Sequence, residues 1–419
     1  MEDLLENKRR SKGRLEMDKT ERLEMDKPKG KRRVSRRAFL KGAGATLVLV
    51  AGGGVWRAVD QGVFGSGQGP ACEPWEDWQE AKGPMALVSA AILAANAHNT
   101  QPWLFEVSED RIDLFADTSR DIGSVDPFLR EMYIGLGCAL ENLLLSARAN
   151  GYEYDLTLAP DRSDPTRAAR VDLSPGDKEI SPLYEAIPDR HTNRYAYDIS
   201  RPVLPETLDA LGALGEGDPE VEVFWFATGE ERRKVGGLLV ESTKAIIADE
   251  EQSYDNGPKW FRQDQDAIQR HRDGLTLDVQ GTSAFDLVAG KMLPEPSEQS
   301  SNEFWLRAIE ERQAPTAAAF GILAVRDDRD EAQRIKVGKL WQRMHLWVTA
   351  RGLAMQPMNQ INERADREAQ LAIEPRFGDA LKDLLGDPSW RGIFTFRVGH
   401  PTEQAPPSPR RAARDVVMT

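Results

Sequence analysis

The segment Arg190-His191-Thr192-Asn193-Arg194 combines two guanidinium groups with a hydroxyl. We expect its alternate residues, Arg190, Thr192 and Arg194, to project to one side of an extended or helix-start segment. Such a set suits a terminal phosphate, because arginine binds phosphate oxygens through two parallel hydrogen bonds. The alternative is a solvated helix start with two surface arginines, and the segment alone does not decide between them.

Two amide side chains, Asn99 and Gln101, precede the rigid pair Pro102-Trp103. Amides offer both donors and acceptors, so they suit the edge of a heterocycle. The alternative is a turn that caps the preceding helix and begins a strand, with Trp103 in the core. Taken alone, the pattern favours this alternative.

Two later segments give weaker signals. The loop Gly352–Asn359, which contains Gln356, Pro357 and Met358, follows the best predicted helix and could present backbone groups to a flat ring. The basic pair Arg410-Arg411 comes after a strand exit at Gly399-His400-Pro401. In isolation, an ordinary helix cap and a solvated tail are the favoured interpretations.

Taken together and in this order, the four segments resemble the FMN-dependent nitroreductase family. The first resembles that family's phosphate-binding Arg-x-Ser-x-Arg, with threonine in place of serine, and the Asn-x-Gln-Pro-Trp turn resembles its ring-contacting turn, with Ala95-Asn96 in place of Pro-Ser. Gly352, Leu353 and Pro357 match the family loop, and Arg410 or Arg411 matches its late arginine. The resemblance implies an FMN site formed by Arg190, Thr192, Arg194, Asn99, Gln101, Gln356, Pro357, Met358, Arg410 and Arg411.

The turn lies in the first half of the chain and the other three segments in the second. This division resembles the Acg-like nitroreductases and implies two nitroreductase-like halves, residues 85–180 and 181–419, fused as a pseudo-dimer. The first half has no second phosphate segment, so we expect one FMN per chain. A homodimer of such chains is compatible with this organisation.

Helical and strand periodicities interleave along the chain, which predicts an α+β fold with three α/β/α layers. Residues 241–313 are charged and weakly periodic, and we expect them to form a lid. The predicted helices are Pro84–Ala97, Glu131–Ala149 and Glu331–Arg351. The predicted strands include Trp103–Val107, Arg111–Ala116, Val221–Ala227, Phe320–Val325 and Ile393–Val398.

Residues 1–60 are basic, whereas the rest of the chain is acidic and brings the net charge to −13. The sequence Ser35-Arg36-Arg37-Ala38-Phe39-Leu40-Lys41, followed by an apolar run, resembles a twin-arginine (Tat) export signal. It implies contact with the Tat machinery and an extracytoplasmic location, with an uncleaved N-terminal anchor as the alternative to cleavage. Residues 61–84 are predicted to be a linker or arm.

Composition excludes several classes of protein. The two cysteines are too few for a disulfide framework, and the five histidines show no metal-ligand spacing. The acidic charge argues against non-specific nucleic-acid binding. There is no dinucleotide-binding Gly-x-Gly-x-x-Gly after a strand and no phosphate-binding Gly-x4-Gly-Lys-Ser/Thr loop.

The resemblance therefore implies an oxidoreductase in which flavin N5 exchanges hydride, so no catalytic side chain is assigned. Hydride would pass from a reductant, NAD(P)H or another, to a nitroaromatic, quinone or similar small-molecule electron acceptor. One alternative is a flavin-sequestering protein whose lid limits turnover. Another is an exported binding protein without a cofactor.

Overall fold

The computed structural model describes residues 67–161, 163–293 and 296–418. The predicted leader at residues 1–60 lies outside these ranges. Within them, no helix is both long enough and apolar enough to cross a membrane.

The first half contains a four-stranded antiparallel sheet with the order β1-β2-β4-β3. The predicted hairpin of β1 and β2 is confirmed with the same bounds. The strands are β1 Trp103–Val107, β2 Arg111–Ala116, β3 Tyr152–Leu158 and β4 Arg167–Pro175. The helices up to residue 185 are α1 Glu73–Glu76, α2 Pro84–Ala91, α3 Arg130–Asn150 and α4 Pro182–Glu185, of which α1 precedes the predicted first half and α4 begins the second.

The second half contains another four-stranded antiparallel sheet, with the order β5-β8-β10-β9, and a short parallel pair, β6-β7. The strands are β5 Val221–Phe226, β6 Phe261–Arg262, β7 Leu275–Thr276, β8 Ala319–Val325, β9 Ala354–Pro357 and β10 Arg391–Gly399. The helices are α5 Pro205–Ala213, α6 Gly229–Ala248, α7 Glu250–Asn256, α8 Gln265–His271, α9 Ala284–Met292, α10 Glu298–Arg307, α11 Glu331–Thr349, α12 Gln360–Leu371 and α13 Arg376–Leu385.

Strand β8 shows how the second half is layered, because all of its residues are buried. Leu323 and Val325 belong to the core that includes α11, whereas Phe320 and Ile322 belong to the core that includes α6, α12 and α13. A strand covered on both faces is uniformly apolar. The predicted α+β class is confirmed, and helices cover both faces of this second sheet.

Helices α3 and α11 pack against each other and join the two halves. A Cβ atom added to Gly137 would lie 2.1 Å from the Ile335 carbonyl oxygen, and one added to Gly338 would lie 2.0 Å from the Ile134 carbonyl oxygen. Real side chains do not approach backbone atoms this closely, so glycine is required at both positions. The two backbones meet where each helix lacks a side chain.

One predicted helix is too long. The prediction extended to Ala97, but α2 ends at Ala91, and Asn96 is extended (φ −160°) before a short 3₁₀ turn at Ala97–Asn99. His98, Asn99 and Gln101 all have positive φ values. The apolar residues that suggested a continuing helix instead line the core through an irregular turn.

The end of the chain crosses back to the first half. Val417 forms a parallel bridge with Phe105 of β1, and the Met418 N–H donates to the Phe105 carbonyl, 2.8 Å away. The Arg410 N–H donates to the Ala71 carbonyl at 2.7 Å. The two halves therefore share more than one helix contact.

We expect Gly338→Ala to lower the free energy of unfolding by about 1–3 kcal/mol or more, because the added methyl group must separate α3 from α11. The control is Gly237→Ala in α6, where an added Cβ has no heavy atom within 4 Å. That change should raise stability by about 0.5–1 kcal/mol, since alanine favours helix over glycine. Urea unfolding measures both, and equal midpoints for the two variants would contradict the close helix contact.

Candidate functional site

A cavity of about 680 Å³ lies beside the α3–α11 pair, a volume within the usual range for small-molecule sites. Ile134, Gly135 and Cys138 of α3 and Trp341 of α11 form part of its wall. The irregular turn after α2 and the edge strand β9 add further wall residues. Both halves therefore contribute to one cavity.

Two arginines, Arg194 and Arg312, line the cavity and are called its cationic end; Asp286 also lines the cavity and interacts electrostatically with Arg312. Arg194 donates from Nη1 to the Val279 carbonyl (3.2 Å), and Arg312 donates from Nη2 to the Gln280 carbonyl (3.2 Å). Within the described ranges, neither guanidinium has a carboxylate partner at ion-pair distance, and Arg312 Nε has no hydrogen-bond partner. Burial lowers the pKa of Arg194 to about 10 and lowers that of Arg312 as well. Two buried guanidinium groups that form no ion pair within the described ranges favour an anionic ligand.

Thr192 lines the cavity with Arg194, but Arg190 does not. Its Nη2 donates to the Leu93 carbonyl at 3.0 Å, while its Nε and Nη1 have no partner in the described part of the chain. Its guanidinium lies 5.8 Å from the centre of the Trp75 ring. The segment is neither strand nor helix, so the alternation expected of it does not bring the three side chains together.

The amides of Asn99 and Gln101 contact other parts of the protein and do not line the cavity. Asn99 donates to the carbonyls of Gly274 (3.1 Å) and Pro409 (2.9 Å), and it accepts a short hydrogen bond from Arg410. Gln101 donates to the Arg272 carbonyl (2.8 Å) and accepts from the N–H of residue 411 (2.8 Å). Both amides hold the tail and the segment 272–274 against the turn.

The same turn nevertheless reaches the cavity through its preceding residues. Ala95, Asn96, Ala97 and His98 all line it. The turn that carries the predicted amides therefore contributes to the cavity, but at the positions where Ala95-Asn96 stands in place of the Pro-Ser of the motif that it resembles. Sequence reasoning treated that replacement only as a departure.

The remaining predicted residues divide between wall and core. Gln356 and Pro357 line the cavity, and the Gln356 amide accepts from Arg397 Nε (2.7 Å) and donates to Gln313 (2.8 Å). Met358 is fully buried beneath the sheet. Arg410 and Arg411 bind the turn at residues 94–101 and lie outside the lining. Of the ten residues, the cavity includes Thr192, Arg194, Gln356 and Pro357.

The other end of the cavity is acidic, which the sequence did not indicate. Glu131 in the first turn of α3 and Glu363 in the first turn of α12 both line it, and each is 6% exposed. Burial, and then the neighbouring Glu131, raises the pKa of Glu363 well above its ordinary value. Burial raises the pKa of Glu131 as well, but Arg130 (3.3 Å) and the Asn359 side chain donate to this carboxyl and oppose the shift. These residues lie too far apart along the chain to form a motif.

We expect Asn99→Ala to lower the free energy of unfolding by about 1–3 kcal/mol, because buried Arg410 loses an acceptor and two buried carbonyls lose a donor. Asn150→Ala is the control, since its amide donates only within the partly exposed end of α3. We expect about 0.5 kcal/mol or less for the control. Denaturant titration of both variants measures the difference, and equal losses would contradict the bridging role of Asn99.

We expect stability to fall as the pH rises. Burial raises the pKa of Asp126 to about 7, and it raises the pKa of Glu363 well above its ordinary value. In the unfolded chain both carboxyl groups titrate at about pH 4. The folded protein therefore holds protons that the unfolded chain releases, so this stabilisation is complete below about pH 4 and is lost as pH rises through 7.

Urea midpoints measured between about pH 5 and 8 test this dependence. Glu363→Gln should reduce the slope, because glutamine does not titrate. The control Glu141→Gln removes a buried carboxylate that is paired with Arg343 outside the cavity, and it should retain the slope. An unchanged slope in Glu363→Gln would show that this carboxyl is ionised in the fold.

Comparison with known proteins gives relatives along most of the chain. No family model matches it. The chain is 24% identical over 362 residues to "Putative NAD(P)H nitroreductase Rv3131" of Mycobacterium tuberculosis, a match that covers 84% of this chain and 95% of the relative. It is 31% identical over 92 residues to "Putative NAD(P)H nitroreductase acg" of the same organism, covering 22% of this chain and 28% of the relative. These matches support the resemblance to the nitroreductase family.

Solved structures also match parts of the chain. The FMN-dependent nitroreductase NfnB from Mycobacterium smegmatis in complex with NADPH is 15% identical and has a TM-score of 0.36, with 57% of this chain and 97% of that chain covered. A nitroreductase with bound FMN from Desulfitobacterium hafniense is 13% identical, also with a TM-score of 0.36, and the match covers 57% of this chain and 99% of that one.

Proposed function

We propose that this protein is an FMN-binding oxidoreductase of the nitroreductase type, which passes hydride from an NAD(P)H-like reductant to a nitroaromatic, quinone or similar acceptor. The observation that carries the proposal is the cavity itself. It joins two arginines that form no ion pair in the described part of the chain to apolar and aromatic walls, and both halves of the chain contribute to it. The full-length relative named as a nitroreductase supports the same reaction class.

The residues at the cationic end fit the FMN phosphate. Arg194 and Arg312 provide charge, Thr192 provides a hydroxyl, and Arg312 Nε is a donor that has no acceptor among the described residues. Ion pairs with a phosphate dianion would offset the free-energy cost of desolvating both guanidinium groups. This assignment replaces Arg190 with Arg312 as the second phosphate-binding arginine.

The walls fit a flat ring. Pro357 of β9, Trp341 of α11 and Phe394 of β10 provide apolar surface from the second half, and Ala95 and Asn96 face the cavity from the first. FMN, when bound, supplies the hydride chemistry. The chain's own residues would fix the phosphate, hold the ring against the apolar wall and exclude water from its surroundings. We propose that the two halves act here as the two subunits of a dimer do.

A flavin-sequestering role is the second candidate. The insertion predicted to be a lid contributes Phe261, Leu277, Gly290 and Trp305 to the cavity wall, which limits access to it. Reduction of bound FMN by dithionite but not by excess NADH or NADPH would favour this role. We also propose, on the sequence alone, that residues 1–60 direct export through the Tat machinery.

The phosphate assignment predicts that Arg194→Gln weakens FMN binding by about 1.5–3 kcal/mol, the usual contribution of a hydrogen bond to a charged group. Titration of the flavin-free protein with FMN, followed by quenching of flavin fluorescence, measures the dissociation constant. Arg201→Gln, an exposed arginine outside the cavity lining, is the control and should bind FMN as the wild type does. Equal affinities in the two variants would remove Arg194 from the phosphate site.

A further inference from the structure

The acidic end of the cavity holds acceptors that the protein leaves unused. Glu363 Oε2 and Gln360 Oε1 have no hydrogen-bond partner in the described part of the chain, although their residues are 6% and 7% exposed. Both residues line the cavity. An unpartnered buried polar atom costs about 1–3 kcal/mol, so these atoms point to a ligand group that the cavity receives.

The carboxyl groups of Glu131 and Glu363 hydrogen-bond to each other. Two hydrogen-bonded carboxyl groups in a buried site do not both ionise, so they share a proton. Glu131 accepts from Arg130 and Asn359. The shared proton is therefore held mainly by Glu363, which lines the cavity.

Charged groups on the neighbouring elements keep the pair in this state. Arg130 donates to Glu131 from Nη2 at 3.3 Å and to Asp366 of α12 from Nε at 2.7 Å. Asp126, before α3, adds negative potential at Glu363, and Arg334 of α11 lies close enough to interact with Asp126. The Arg130 guanidinium therefore interacts with several carboxyl groups, and its charge does not compensate Glu363 by itself.

We propose that Glu363, with Glu131 as its proton-sharing partner, is the acid that protonates the electron acceptor reduced in this cavity. The inference rests on the proposed function and goes beyond the flavin site. A carbonyl or nitroso acceptor that takes hydride at one atom, which FMN would supply from the NAD(P)H-like reductant when bound, would take the Glu363 proton at its oxygen. The new O–H bond forms as the Glu363 O–H bond breaks, which leaves two adjacent carboxylates, and their repulsion draws a replacement proton from water.

If Glu363 donates a proton, its replacement should affect electron acceptors that need a proton and spare those that do not. A quinone takes a proton with its electrons, whereas ferricyanide takes one electron and no proton. We expect Glu363→Gln to slow oxidation of the reduced FMN-loaded protein by a soluble benzoquinone about 100-fold or more, the usual range for a positioned acid. Oxidation by ferricyanide should keep the wild-type rate. The control Glu141→Gln should react with both acceptors as the wild type does.

A measurement without flavin tests the proton directly. Infrared spectroscopy of the flavin-free protein at pH 7, with ¹³C-labelled glutamate, should show a protonated carboxyl band that is absent from Glu363→Gln and present in Glu141→Gln. Its absence from the wild type would overturn the inference whether or not FMN binds. So would equal benzoquinone rates in Glu363→Gln and wild type.

Failure of the proposed function gives a different result. If the protein takes up no FMN but shows the carboxyl band, the flavin assignment is refuted. The proposal that Glu363 protonates an acceptor reduced by the flavin is then refuted as well. Bound FMN with an unchanged quinone rate in Glu363→Gln would leave the flavin assignment intact and refute only the acid.

Discussion

The contact between the α3 and α11 backbones at Gly137 and Gly338 determines where everything else in this protein lies. Each helix carries one half of the fold, and each glycine removes the side chain that would hold the helices apart. Around the crossing, the Gln342 amide donates to Asn142 (2.8 Å) and accepts from the Ala95 N–H (3.2 Å). The crossing therefore also fixes the turn that follows α2, and through it one wall of the cavity.

The cavity wall contains charged groups of both signs. In the described part of the chain, Arg194 and Arg312 donate to carbonyl oxygens and form no ion pair, and Glu131 accepts from Arg130, which also donates to Asp366. Arg312 Nε and Glu363 Oε2 have no hydrogen-bond partner there. The wall therefore retains hydrogen-bonding capacity for a ligand of opposite charge at each of these groups.

Periodicity and turn signals predicted most of the architecture. The β1–β2 hairpin, α3, α11 and strands β5, β8 and β10 follow local apolar patterns, and the structure contains them within a few residues of their predicted bounds. Strand β9 was missed, because its residues fall in the segment Gly352–Asn359 that was predicted to be a loop. The overlong α2 failed because the apolar residues Ile92–Ala95 are buried by an irregular turn, which periodicity does not distinguish from a helix.

The site was less predictable because its contacts depend on tertiary structure. Thr192 and Arg194, which line the cavity, were predicted from their residue types. The Arg190 side chain does not line it, because it contacts Trp75 and the Leu93 carbonyl, which are far away in sequence. Arg312 has no local signal, and the partnership of Glu131 with Glu363 exists only because α3 and α12 meet. Charged residues in helix first turns ordinarily indicate a solvated surface, and only burial distinguishes these two.

The bridge between Val417 and Phe105 has a consequence for how the chain folds during synthesis. Strand β1 is at the edge of its sheet, and an uncovered edge is open to pairing with another chain. The covering segment is made more than three hundred residues after the strand, as the Met418–Phe105 hydrogen bond shows. Contacts of such long sequence separation form slowly. A ribosome-bound chain would therefore expose this edge until residues 409–418 emerge, and its yield in the cell should depend on chaperones that occupy the edge in the interval.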